Sequence, residues 1–335
     1  MTQNHKRDYY FDNARAWLIF LVVFGHVVRP HLESDKILTT LYLFIYSFHM
    51  PTFLFISGYF AKKAGQEGYL EKVGKKLLAP YVIFFSFFSI YYYFTGKNAK
   101  IELDPFDPIF ALWFLLTLFF FNVILIVVKQ FKPIYVLVGS IILSVFAGFS
   151  TDINGFLSVS RTVVFFPIFY VGYLMSKSQT THLQSKKWLP ASIGVLAILF
   201  IAYWIHPINS SWLLGSSPYK DVSGVNAIWS PLKRLVLYGI IFSSMFAFLN
   251  LMSKNKKWYT YIGTRTLYVY LLHGIFVGVL RGFEIKPFTD NLLIETLYII
   301  AISTFIVWLL STDFIAKWTN PIINLKSPSN FKPKS

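Results

Sequence analysis

Runs of about twenty apolar residues recur from one end of this chain to the other, and nothing else limits its possible folds so strongly. A helix needs about 20 such residues to cross the hydrocarbon of a bilayer. With 55% hydrophobic residues, 36 Phe and 21 Tyr in 335 positions, the apolar surface exceeds what one soluble core could hide. Ten spans are expected, over residues 9–28, 38–61, 77–95, 109–128, 133–149, 160–176, 188–206, 232–252, 264–282 and 291–316. The fold class is therefore all-α, a polytopic integral membrane helical bundle. Residues 1–318 form one membrane domain, and the Pro-, Ser-, Asn- and Lys-rich stretch 319–335 reads as a flexible tail.

The net charge of +16 suggests nucleic acid at first sight, but the basic residues fall on alternate connections. Lys62, Lys63, Lys72, Lys75 and Lys76 share one, Lys177, Lys186 and Lys187 another, and Lys254, Lys256, Lys257 and Arg265 a third. The positive-inside rule places these segments and both termini in the cytoplasm, in keeping with an even number of spans. The excess charge is thus an orientation signal and a contact for anionic membrane lipids, and no nucleic-acid partner is expected. No cleavable signal peptide is expected either, since the first apolar run carries Arg15 and follows no small-residue cleavage site.

Cysteine is absent, which excludes thiol nucleophiles, disulfides and Cys-based metal sites. No GxxxxGK[ST] loop supports nucleotide hydrolysis, no GxGxxG after a strand supports a Rossmann domain, and no metal is expected. The outer connection from about Pro207 to Pro231, rich in Ser, Gly, Pro and Trp, could cap the outer face and touch an acceptor.

The first apolar run, YYFDNARAWLIFLVVFGHVV, holds Asp12, Arg15 and His26. An ionisable group in hydrocarbon costs at least a few kcal/mol, so such a helix lines a polar interior. Arg15 and His26 are eleven residues apart, three turns plus about 20°, which puts both on one stripe with roughly 16 Å between them. Asp12, one turn below, would hold the guanidinium. The second run carries His49 and the ninth His273. Three imidazoles at compatible depths could converge as general bases, while His49 or His273 taken alone is equally well read as an interhelical hydrogen-bonding group, a reading that Arg15 on the same stripe makes weaker for His26. Pro51 should loosen the second helix next to His49. Ser57 and Gly58 permit close helix approach, and Trp113 could line a chamber or anchor at the interface. Arg161, Arg234 and Arg281, at outer helix ends, could each bind an anionic acceptor or snorkel to headgroups, and snorkelling is the role expected of any one of them.

The segments FDNARAWLIFLVVFGH with its R-x10-H spacing, FHMPTFLFISGY, LWFL and YVYLLHG follow one another in an order that resembles the membrane acyltransferase family 3. The likeness is nearest to its fucose 4-O-acetylase-like branch. The resemblance implies a ten-helix enzyme that takes an acyl group, usually acetyl, from acyl-CoA on the cytoplasmic side and passes it to a carbohydrate hydroxyl at or beyond the outer face. By position it implies that Arg15 and His26 are the essential pair, with Ser57-Gly58 matching the second-span motif. Many members also bear a carboxy-terminal extracytoplasmic hydrolase-like domain. This chain stops soon after its last apolar run, so the membrane unit is expected to complete the transfer itself.

The expected catalytic set is then His26, Arg15, His49 and His273. Acetyl-CoA or another acyl-CoA is the donor, held by Arg15, Lys62, Lys63 and Ser57, with Lys76, Lys257 and Arg265 adding positive charge at the inner surface. The partners are acyl-CoA, a carbohydrate acceptor and lipid, and the location is the plasma membrane. A transporter or flippase, using the same Arg and His residues for substrate binding or proton relay, is the competing class. The absence of visible inverted repeats weighs mildly against it.

Overall fold

The computed structural model describes residues 9–32, 35–96, 98, 100–151, 156–283 and 291–325, and among these every regular element is helical. In chain order the first four helices are α1 (Tyr9–Val28), α2 (Lys36–Tyr46), α3 (His49–Phe60) and α4 (Tyr69–Phe94). Then follow α5 (Trp113–Val128), α6 (Pro133–Ala147), α7 (Val159–Leu174), α8 (Lys177–Leu183) and α9 (Leu189–Ile205). The short α10 (Ser211–Leu214) and α11 (Tyr219–Ser223) precede α12 (Ser230–Asn250), and the one-turn α13 (Thr260–Gly263) precedes α14 (Thr266–Gly282). The described chain ends with α15 (Leu292–Leu310) and α16 (Asp313–Asn324).

Among the described residues, seven segments are long and apolar enough to cross a membrane: Tyr9–His31, Lys36–Phe60, Tyr69–Phe94, Phe156–Leu174, Lys186–Ile205, Ser230–Asn250 and Leu292–Leu310. The other three expected spans correspond to α5, α6 and α14, apolar helices of 16, 15 and 17 residues.

Helix α1 sits at the centre, touching α2, α3, α13, α14 and α15. Its inner end is fixed by the buried Asn13, whose amide donates 2.8 Å bonds to Ser253 O and Asn255 O and accepts from Thr260 Oγ1 at 2.6 Å. There α13 rests backbone to backbone on α1, since a Cβ at Gly263 would fall 1.8 Å from Asp12 O. The second expected span is broken at Ser47-Phe48 into α2 and α3. Pro51 falls in the first turn of α3, where its missing N–H leaves no helical bond unmade. Helices α3 and α7 also cross at close range. A Cβ on Gly58 would lie 2.0 Å from Phe169 O, and one on Gly172 would lie 2.0 Å from Phe55 O, so only glycine permits this approach.

Two expectations are corrected. The fourth span was expected from residue 109, but α5 begins at Trp113 after an irregular segment that descends beside α4. Asn98 N bonds Tyr92 O, Ser89 Oγ donates to Glu102 O, and Tyr81 Oη donates to Pro105 O at 2.5 Å. Tyr81 lies thirteen residues below the outer end of α4, about 20 Å along its axis. The chain between α4 and α5 therefore dips deep into the outer half of the bundle, a course that suits non-helical backbone only where protein or water surrounds it. At the other end, the tail expected from residue 319 is helical and packed up to Asn324: Asn320 and Ile323 are buried and Tyr268 Oη bonds Asn320 at 2.9 Å. The opposite face of α16 exposes Phe314, Trp318 and Ile322. These lie at i, i+4 and i+8, the pattern of a helix lying in a membrane interface. Residues 326–335 lie outside the described residues.

Candidate active site

A cavity of about 820 Å³ runs up the inner half of α1. Asp12, Arg15, Ile19 and Val22 line it at steps of three and four residues, so the lower part of the stripe read from the sequence faces a cavity, while His26 at its upper end is not part of that wall. Arg15 Nη1 lies 3.5 Å from Asp12 Oδ1, and its guanidinium sits 4.7 Å from the Phe60 ring centre. Lys76, Arg265 and the first-turn residues of α14, Thr266 to Tyr268, share the polar part of the wall with Asn320 and Asn324. No side chain caps that turn, so the positive end of the helix dipole adds to three cationic side chains. Arg265 is itself tied down, donating to Ser311 O and to the Asp313 carboxylate. The upper part is apolar: Val22, Met50, Phe53, Phe114 and Tyr270.

One turn above Val22 on α1 stands His26, and three residues beyond Tyr270 on α14 stands His273. Their ring centres are 5.2 Å apart, and the Phe110 ring completes a triangle, 4.5 Å from His26 and 5.2 Å from His273. His273 Nδ1 is 2.6 Å from Tyr270 O. A carbonyl only accepts, so Nδ1 carries the proton and the neutral ring keeps its lone pair on Nε2. The same holds for His49, whose Nδ1 donates to Ile45 O at 2.9 Å across the α2–α3 break. Arg281 Nη2 donates to His26 O at 2.8 Å. Phe110, on the irregular segment before α5, has φ of +57°. A bulky side chain in that backbone region stores strain of about 1–3 kcal/mol and marks a position held by its surroundings.

The structure thus brings His26 and His273 into contact and sets Arg15 below them in the cavity with Ser57, whose Oγ bonds Phe53 O at 2.8 Å. His49 stands to one side: its ring meets Tyr46 edge-on at 4.5 Å, and Tyr46 packs on Gly25. His49 and His26 remain within electrostatic reach of each other. Lys62 and Lys63 are absent from the cavity wall. Lys62 Nζ donates to Tyr173 O and Met175 O at the end of α7 and lies over the rings of Tyr59 and Tyr173, while Lys63 is exposed.

The three outer arginines do not snorkel. Arg234 is 4% exposed and donates to Trp212 O, Arg161 lies 4.9 Å from the Trp113 ring centre, and Arg281 reaches His26. The connection before α12 reaches Arg234, α5 reaches Arg161 and α1 reaches Arg281, so these side chains meet protein where bare helices would have offered headgroups. Phe110 is a site residue that sequence reasoning missed, and Arg281 is one whose expected place was at the headgroups. Arg281 shares an otherwise apolar run with His273, TLYVYLLHGIFVGVLRG, the same coincidence that singled out the first helix. Phe110 carried no signal.

Residues 8–312 match a family model described as an acyltransferase domain. Nodulation protein NolL of Mesorhizobium japonicum is 26% identical over 208 residues, which cover 55% of this chain and 53% of that protein. The match thus spans about half the length of that relative. No solved structure matches the chain.

Proposed function

Since the chain belongs to the membrane acyltransferase family whose domain model covers residues 8–312, we propose that it moves an acetyl group from cytoplasmic acetyl-CoA to a hydroxyl of a cell-surface or exported carbohydrate. The observation that carries this reading is the placement of a cation-walled cavity whose apolar end stops one turn below the His26–His273 pair. Arg15, Lys76, Arg265 and the α14 N-terminus suit the phosphates of a coenzyme A thioester. The passage past Ile19, Val22, Met50 and Phe53 suits its thin arm, and the large side chains at the top favour a short acyl group. Both termini on the cytoplasmic side of the plasma membrane go with this orientation, as the basic connections imply.

At the top of the passage the acceptor hydroxyl loses its proton to an imidazole nitrogen as its oxygen attacks the thioester carbonyl. His273 Nε2 is prepared for this by the bond that fixes its proton on Nδ1, and His26 stands against the same point. The C–S bond then breaks, and the imidazolium returns the proton to the leaving thiolate. Arg15 holds the donor below. Arg281, bonded to His26 O, fixes the backbone that carries the imidazole. Membranes containing the protein, incubated with radiolabelled acetyl-CoA and surface glycan, should place label on the glycan. A transporter would leave none, and that result would overturn the reading.

A further inference from the structure

Around the ring triangle, positive charge gathers with little to neutralise it among the described residues. Arg281 gives one bond to His26 O, and its buried Nε has no hydrogen-bond partner. Across the site, Arg161 makes no hydrogen bond or ion pair among the described residues. Its Nε is buried without a partner, and its visible contact is the Trp113 face at 4.9 Å. Arg29, the residue after α1, lies within electrostatic reach of Arg161, Arg281 and His26 alike. Nearby carboxylates do little to offset them. Glu295 is bonded to His31 at 2.5 Å, and Asp104 caps Phe106 N at 2.9 Å. Asp107 is in range of Arg161 without forming an ion pair with it. Arg29 is in reach of each of the other two guanidiniums and repels both, and partly buried ones with open N–H groups leave desolvation uncompensated. Such an arrangement favours an anion. The walls between them are aromatic: Trp113, Phe110, Tyr46 and Tyr92.

We propose that this group of arginines forms an anion subsite, and that the acceptor is a saccharide bearing a phosphate or carboxylate that Arg161 and Arg281 hold while its hydroxyl meets the His26–His273 pair. The proposal rests on the acyl-transfer reading for the hydroxyl's fate. The sugar ring packs its C–H face on the aromatic wall, and the planar guanidiniums take the charged group in bidentate fashion.

The test uses the full chain purified in detergent with saturating coenzyme A, and measures binding of glucose, glucuronate, glucose 1-phosphate and inorganic phosphate. At least one charged sugar should bind about tenfold more tightly than glucose, the worth of a charge-assisted bond pair. The glucuronate and glucose 1-phosphate arms tell carboxylate from phosphate, and either preference supports the site. Arg161→Gln should bring the preference below about threefold, and Arg161→Lys should retain part of it. Coenzyme A affinity, measured on every variant, reports whether the fold survives; if Arg161→Gln fails that check, Arg161→Lys and the parent's own preference decide. Equal binding of charged and neutral sugars by the parent, or an undiminished preference in Arg161→Gln, overturns the proposal. A parent that prefers charged sugars yet binds no acetyl-CoA would instead overturn the acyl-transfer reading and leave the subsite standing.

Discussion

His26 and His273 come from helices at opposite ends of the chain, yet their imidazole rings stand 5.2 Å apart with Phe110 against both. Two bases so close can share one proton's work, and the bond from Tyr270 O decides which nitrogen of His273 is basic.

Replacing either histidine with Gln is therefore expected to lower acyl transfer by about two to four orders of magnitude, with acetyl-CoA affinity near that of the parent. The double variant should be scarcely worse than either single one, because the rings act as a unit. Near-parental turnover in His273→Gln would falsify the pairing.

Among cations, the cavity wall separates those that meet the donor from those that do not. Arg15→Lys and Lys76→Gln should each weaken acetyl-CoA binding about three- to tenfold, Arg15→Lys because it keeps charge but loses the planar fork. Lys62→Gln should leave donor affinity unchanged, since that ammonium serves the carbonyls of Tyr173 and Met175. A loss of affinity in Lys62→Gln equal to that in Lys76→Gln would move the phosphate site to the other side of α3.

Gly58→Ala and Gly172→Ala should lower the thermal unfolding midpoint in detergent or prevent accumulation. Each new methyl meets a backbone oxygen at 2.0 Å, and such overpacking costs about 1–3 kcal/mol or more. Gly194→Ala, with nothing within 4 Å of its added carbon, is the control. Equal midpoints for all three variants would contradict the α3–α7 crossing.

Phe110→Gly removes the strain of a positive φ and also removes the ring that closes the site from above. Hydrolysis of acetyl-CoA in the absence of acceptor should rise severalfold relative to transfer, because water then reaches the thioester. Should the hydrolysis-to-transfer ratio stay constant, Phe110 does not seal the site.

In a chain without native Cys, a Cys placed at the exposed Lys72 is expected to react with a membrane-impermeant maleimide only after the cells are opened. Labelling in intact cells would invert the orientation and with it the donor route.

What the sequence made legible is what helical period alone can carry. Arg15 and His26 lie on one stripe because eleven residues close three turns, and the part of it from Asp12 to Val22 faces a cavity. Convergence of the histidines depended on contacts between distant helices, and only two of the three rings meet. Lys62 looked like donor-binding charge because it follows the second-span motif, but its neighbour in space is the open end of α7, which no local pattern reveals. The segment 109–112 reads as apolar helix. Pro105 and Pro108 just before it, and tyrosines on α4 and α14 that bond its carbonyls, keep the chain irregular until Trp113. The start of α16 was taken into the last span and its remainder into a tail, because twelve amphipathic residues resemble neither a span nor a core.

The descent of the chain between α4 and α5 changes the scale of the transport problem. The cavity rises toward the His26, His273 and Phe110 rings from one side, and the irregular segment carries Phe110 to them from the other. On the proposed reading, a thioester held in the cavity would not have to be carried across the bilayer, nor a sugar brought in. The acyl carbon would only have to change partners at these rings, with the thioester itself supplying the free energy.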